Sequence, residues 1–231
     1  MDSERARAIA VRARRAAAWG AAVAAVAAAW LGGDPASARG DRTPDARIFA
    51  SSTTAIITDP GDPRLSDRLV GFRGEVKRII RRGGGVARRS RLLGGMFFSP
   101  ILGFTTFQRS RAFDVDRVSR RELRGMAATV AQRFHQQSVL TFDRAERRTD
   151  PVDAVEVEAR GVEASRLRFA FVADAEVRRR LMGASVSLNG RLLLVAALED
   201  LAVVERFVTA LGVPFGDAKV RRGHREFVAA S

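Results

Sequence analysis

The densest concentration of chemistry in the chain is a group of arginines around three consecutive glycines. Arg78, Arg81, Arg82, Arg88, Arg89 and Arg91 surround Gly83, Gly84 and Gly85. A run of glycines lets backbone N–H groups approach an anion closely. Guanidinium forks grip phosphate or carboxylate oxygens in two-point contacts. No Gly-Lys-Ser/Thr follows, so the tract is not a Walker A loop. Phe97, Phe98, Phe104 and Phe107 lie just beyond it. Aromatic side chains interleaved with basic ones suit single-stranded nucleic acid, but the same phenylalanines suit a core. The tract is the candidate anion-binding site; a flexible solvated loop is the alternative.

The two histidines, His135 and His224, are too few for a multi-histidine metal centre, and the absence of cysteine removes thiolate ligands and disulfides. His135 has the chemistry of a general base, with Asp114, Asp116 or Asp143 to orient it. It also suits the end of a helix, where an imidazole complements the dipole. Gln136, Gln137 and Ser138 follow and could line a cleft at a sheet end. Ser138 has no Gly-x-Ser-x-Gly elbow to make it a nucleophile. His224 stands among Arg221, Arg222 and Arg225, whose field would keep it neutral, as a haem ligand requires. Asp59, Asp62 and Asp67 offer oxygens for Ca²⁺, but lack the spacing and the distal bidentate Glu of an EF-hand; turn and capping roles suffice for them. The expectation is no catalytic residue, no metal and no cofactor, with a small enzyme using His135, or haem held by His224, as the alternatives.

The elements that must carry these residues follow from periodicity. Arg47 to Thr58 is β-branched and reads as a strand or a strand pair. Asp59-Pro-Gly-Asp-Pro63 is a turn. Leu65, Leu69, Phe72, Val76, Ile79 and Ile80 fall at helical spacing, with Ser66 as N-cap and the glycines as terminator. Strands are expected over 86–98 and 104–115. Ser119 to Glu122 is a capping box that opens a helix buried along Leu123, Met126 or Ala127, Val130 and Phe134. A strand follows over 138–142. This β-α-β-β-α-β order predicts an α+β fold with a ferredoxin-like domain over 47–149. The charged stretch before Pro151 marks a boundary, and residues 150–231 could repeat the plan. Strands are expected over 155–158 and 167–172, and Asp174 caps a short helix. Asn189-Gly190 makes a hairpin, Asp200 caps another helix, and 218–229 supplies a last strand.

The segment Arg133-Phe134-His135-Gln136-Gln137-Ser138-Val139-Leu140 resembles a family of exported bacterial proteins of unknown function. There, a helix ending in Arg-Phe runs into a Gln-Gln-Ser-Val-Leu or Gln-Glu-Ser-Val-Leu strand. Ser110 to Val115 is similar to the strand before the last helix of that family. The chain lacks the family's Gly-Gln-Trp segment. The resemblance implies export and a ferredoxin-like first domain, and no activity.

Export is also written in the first residues. Arg12, Arg14 and Arg15 precede a charge-free stretch from Ala16 to Leu31, and Ala36-Ser37-Ala38 supplies a small-x-small cleavage pattern. That is the layout of a signal peptide over 1–38, followed by a polar linker over 39–46. An uncleaved anchor is the alternative, although about 20 apolar residues are needed to span a bilayer. The expected location is periplasmic or extracellular.

The formal net charge is +14. All the basic residues but Lys77 and Lys219 are arginine, which coding bias in a GC-rich genome also produces. The expected role is a binding module with a basic face toward an anionic polymer or membrane surface at the envelope. Nucleic acid suits an exported protein less well, and a homodimeric assembly module is a further alternative.

Overall fold

A computed structural model describes residues 44–145 and 150–230. The expected signal peptide, most of the linker and the expected boundary at 146–149 lie outside the described residues. Ala46, expected in the linker, is in the first strand. Among the described residues, eight strands run in chain order: β1 (Ala46–Ala50), β2 (Val86–Ser99), β3 (Phe104–Asp116), β4 (Ser138–Arg144), β5 (Ala154–Ala159), β6 (Gly183–Ser187), β7 (Leu192–Ala197) and β8 (Lys219–Ala229). The helices are α1 (Val70–Arg82), α2 (Arg120–Arg133), α3 (Ala164–Ala173), α4 (Ala175–Leu181) and α5 (Leu201–Ala210).

The strands close into one antiparallel barrel in the order β1-β3-β2-β6-β7-β5-β8-β4. This corrects the expected ferredoxin-like fold. An open sheet of that kind keeps two free edges. Here β2 pairs with β6 from Leu93↔Ser187 to Phe97↔Gly183, and β4 pairs with β8 from Ser138↔Ala229 to Arg144↔Gly223. Both edges are consumed, and the strands of the two halves share one sheet. The element order in sequence carries no signal of this, because closure is made by pairs far apart in the chain. Full closure removes the exposed N–H and C=O groups that make sheet edges a liability.

The helices lie on the outer surface of the barrel. Phe72, Val76 and Ile80 of α1 share a core with Leu123, Met126, Ala127 and Val130 of α2 and with Ile48, Phe113, Val115 and Val139 of the strands. Phe72 sets its ring edge against Phe113 at 5.9 Å and Phe134 at 4.6 Å. On the other half, Phe171 of α3 meets Phe207 of α5 at 6.2 Å. Burying each such ring contributes about 1.5–3 kcal/mol.

Local chemistry sets the helix ends. The capping box is present: Ser119 Oγ accepts from Glu122 N, and Glu122 Oε2 accepts from Ser119 N at 2.7 Å. Asp174 accepts from Glu176 N and Val177 N at the start of α4. Two expectations fail. Ser66 sits in a 3-10 turn capped by Asp62, and α1 begins only after Leu69, held at φ 51°. Residues 167–172 form α3 and not a strand: its apolar residues are continuous enough to suit either period, and two turns with Leu167 and Phe171 inward win.

Two glycines test the packing. A Cβ at Gly223 would lie 2.2 Å from the Asp143 carbonyl oxygen, whereas one on Gly71 in α1 would meet nothing within 4 Å. Gly223→Ala should cost about 1–3 kcal/mol by forcing β8 from β4. Gly71→Ala should stabilise by about 0.5–1 kcal/mol through helix propensity. Urea unfolding midpoints of the two variants should move in opposite directions.

Candidate functional site

The lumen holds a cluster of charges that composition alone would have placed on the surface. Arg47 on β1 donates from Nε to Asp114 Oδ1 on β3 at 2.7 Å, and from Nη1 to Glu156 Oε1 on β5. In the barrel β4 and β8 separate β1 from β5, so this second contact crosses the lumen. Arg221 on β8 donates to Glu156 Oε2 at 2.9 Å. Arg191, just before β7, donates to Glu158 Oε1. Arg91 on β2 lies 3.6 Å from Asp114 and 3.5 Å from Glu158. Four guanidiniums thus face three carboxylates, leaving an excess of one positive charge.

Burial makes this arrangement consequential. The Arg47 side chain is 1% exposed, Glu156 2% and Glu158 4%; Arg91 is 17% exposed. Burial lowers the Arg47 pKa, but Glu156, Asp114 and Glu158 outweigh it and hold the guanidinium above its ordinary range. Burial lowers that of Arg91, and the charge of Arg47 adds to this against the pull of Asp114. Burial pushes the Glu158 carboxyl up, yet Arg91, Arg191, Arg47 and Arg221 together bring it below the usual glutamate range. Around the charges, Leu93, Ala112 and Leu193 form a small dry cluster with Phe49.

A β-bulge aims Arg91. The β2–β3 register runs Ala87↔Val115 and then Ser90↔Phe113, so Arg88 and Arg89 together oppose one residue. The extra residue shifts the alternation by one. Ser90 then shares the helix-facing side with Phe113, and Arg91 turns into the lumen.

The predicted tract is therefore divided. Arg78, Arg81, Arg82, Arg88 and Arg89 are exposed, as are Gly83 and Gly84. Arg88 donates to Asp116 Oδ2 at 2.6 Å. Gly85 is buried, and Arg91 leaves the group for the barrel interior.

The predicted cleft at the end of α2 is not brought together. His135 is exposed at φ 52°, with Gln137 also exposed, Ser138 half-buried and Gln136 buried. The carboxylates offered to His135 are held by arginines: Asp114 by Arg47, Asp116 by Arg88, and Asp143 by Arg120. His224 Nδ1 lies 2.9 Å from Asp153 Oδ2, which opposes the purely positive surroundings expected for it. Asp59, Asp62 and Asp67 accept from Gly61 N, Arg64 N and Leu69 N. No group of three or more potential metal-ligating side chains occurs among the described residues.

A cleft of about 380 Å³ opens beside the buried charges. Glu158 lines it together with Arg160, Val213, Pro214, Asp217 and Lys219. Sequence reasoning missed Arg47, Glu156, Glu158, Arg191 and Arg221. The sequence Ala154-Val-Glu-Val-Glu-Ala159 alternates as a half-buried strand would, but every residue of this strand is buried, on both faces.

No protein-family model matches the chain, and no curated protein does. Among solved structures, an anthrone oxidase-like protein aligns over 79% of this chain and 92% of its own, at 9% identity and a TM-score of 0.25. A monooxygenase candidate from Lactobacillus acidophilus NCFM aligns over 81% and 97%, at 10% identity and a TM-score of 0.25. One from Fusobacterium nucleatum aligns over 83% and 98%, at 9% identity and 0.24. Likeness at this level carries no argument about activity. No helix among the described residues is long and apolar enough to cross a membrane.

Removing one member of a buried charge cluster leaves its partners uncompensated, at a cost of about 3–5 kcal/mol. Arg47→Met should lower the unfolding free energy by that amount, measured in urea. A second expectation follows from pH. Glu158 is depressed from 4.5 in the folded state, so its stabilisation is present above that value and is lost as pH falls through the folded pKa. Urea midpoints taken from pH 6 to pH 3 should fall below about 4.5, and Glu158→Gln should flatten part of that fall.

Proposed function

We propose that the chain is a binding protein that presents an arginine surface to an anionic polymer at the cell envelope. The observation that carries this reading is the corner where α1 ends and β2 begins. Arg78, Arg81, Arg82, Arg88 and Arg89 are all exposed there, beside the open backbone of Gly83 and Gly84. Gly84 and Gly85 pack near Glu122 and Val118, which brings the start of α2 to the same corner. The exposed Arg117 and Arg121 flank that start. One nearby acid answers one arginine of the patch, and another is turned to a helix cap. Asp116 pairs with Arg88, and Glu122 is turned to the Ser119 cap.

The competing role for Arg81 and Arg82 is to complement the negative end of α1, worth about 0.3–1 kcal/mol each. That role predicts a loss of stability and no effect on binding. The envelope setting is supported by the three-part N-terminal pattern and by the resemblance of Arg133 to Leu140 to exported proteins.

Immobilised heparin, a model polyanion, separates the two roles. The chain should be retained at low salt and elute as salt rises, because polyanion binding releases counterions. Arg78→Glu/Arg81→Glu/Arg82→Glu should reduce the slope of log affinity against log salt by about 2–3. Elution in low salt, or an unchanged slope in the folded triple variant, would overturn the reading.

A further inference from the structure

The β2–β3 hairpin ends in a tip that the rest of the barrel does not cover. From Leu92 to Gln108 no side chain is charged, in a chain where 29% of residues are. The last bond to β2 from the β6 side runs from Phe98 N to the Met182 carbonyl at 2.8 Å, and β3 meets Ile57 through Phe107 N at 2.7 Å. Beyond those points the hairpin pairs only with itself among the described residues, through Phe98↔Thr105 and Ser99↔Phe104. Ile101 at its apex is 96% exposed, and Leu102 and Phe104 are exposed beside it. The turn leaves little backbone bare. Pro100 has no N–H, Leu102 N donates to Ser99 Oγ at 3.2 Å, and Gly103 N donates to the Ser99 carbonyl at 2.8 Å. Such a tip can enter an apolar phase while stranding few backbone donors.

Guanidiniums stand at its base. Arg168 of α3 lies over the Phe107 ring at 5.6 Å, and Arg178 of α4 lies over the Phe98 ring at 5.8 Å. Arg178 also donates to the Val172 carbonyl. The exposed Val172 and Met182 thus adjoin the hairpin, and the exposed Phe169 is next to Arg168 in α3. Asp59 attracts Arg168. Asp174 attracts Arg178, but it also lies 3.6 Å from Arg206 and accepts from two N–H groups of α4. Arg180 is held by Asp200 at 3.4 Å. Arg179 is exposed and makes no ion pair among the described residues.

From this geometry we infer that the hairpin docks the protein on an anionic lipid surface. Ile101, Leu102 and Phe104 enter the boundary between headgroups and acyl chains, and Arg168, Arg178 and Arg179 meet the headgroup phosphates. Six exposed apolar side chains on a projecting tip and its foot fall far short of the roughly 20–30 residues a side that a stable protein interface uses. A second copy seated on the same face would set these arginines against their own counterparts, which like charge disfavours. A bilayer asks only for apolar insertion of about 5–10 Å beneath basic residues, and arginine stems reach back to the headgroups. The arginine corner at the end of α1 lies at the other end of β2, about 40 Å along the strand, so the two surfaces can be tested apart.

The chain has no cysteine, so Ile101→Cys takes a single nitrobenzoxadiazole fluorophore. Vesicles of phosphatidylcholine, with and without phosphatidylglycerol, are the probes. With phosphatidylglycerol present, the emission should shift to the blue and be quenched by doxyl groups on the acyl chains. The same label at the exposed Gly71→Cys should stay water-like. Adding Leu102→Asp should raise the lipid concentration at half-shift about tenfold or more. Arg179→Glu should raise it about fivefold for each unit of charge changed. Arg78→Glu/Arg81→Glu/Arg82→Glu should leave the label inserted at saturating lipid, so failure of the polyanion reading is distinguishable from failure here. A label at 101 that stays in water at saturating lipid would overturn the inference, even if the protein binds vesicles by another surface. So would a blue shift without lipid that grows with protein concentration, which would assign the tip to a second copy. Equal half-shift concentrations with and without phosphatidylglycerol would overturn the anionic assignment.

Discussion

Charges taken out of water must be answered by other charges, and in this barrel the answers come from strands remote in sequence. Arg47 reaches from β1 across the lumen to Glu156 on β5, 109 positions away. Glu158 gathers Arg91, Arg191 and Arg221 from three more segments. Desolvating each ion costs several kcal/mol, which only good geometry recovers. The cluster is therefore satisfied only when the barrel is closed. A half-assembled sheet would leave guanidiniums facing carboxylates that have not arrived. The interior acts as a check on assembly as well as a source of cohesion.

The outer layer is of a different kind. Phe72, Val76 and Ile80 answer to Leu123, Val130 and Phe113 through shape and dryness alone. Such a core tolerates substitution that conserves volume. The lumen does not, because a guanidinium has no apolar isostere that keeps its partners paired. Cohesion outside and specificity inside are thus divided between the two faces of the same strands.

Local signals were legible in the sequence to the extent that they are local. The capping box at Ser119, the Asp174 cap and the Asn189-Gly190 turn each depend on neighbours within a few residues, and each could be read directly. Closure could not, because β2–β6 and β4–β8 pairing leaves no trace in spacing. Nor could the lumen be read. Glu156 and Glu158 alternate with valines just as the solvent face of a half-buried strand would. Only the burial of both faces reveals that their side of the sheet is interior. Arg91 was grouped with its sequence neighbours for the same reason: alternation predicts facing only while register is unbroken.

The break in register at Arg88 and Arg89 has a consequence for how such a chain can diversify. An added or lost residue in a surface loop changes its length and little else. In β2 the strand continues for ten residues beyond the bulge, through Ser99. Within those ten residues, one codon gained or lost while the bulge is kept would exchange the side chains presented to the lumen with those presented to the helices. Leu92 would trade places with Leu93, and Arg91 would meet Phe113 instead of Asp114. The bulge is in this sense a phase setting, and a lineage could not drift across it in small steps. It would have to rewrite both faces of the strand together or take up the change at the bulge itself.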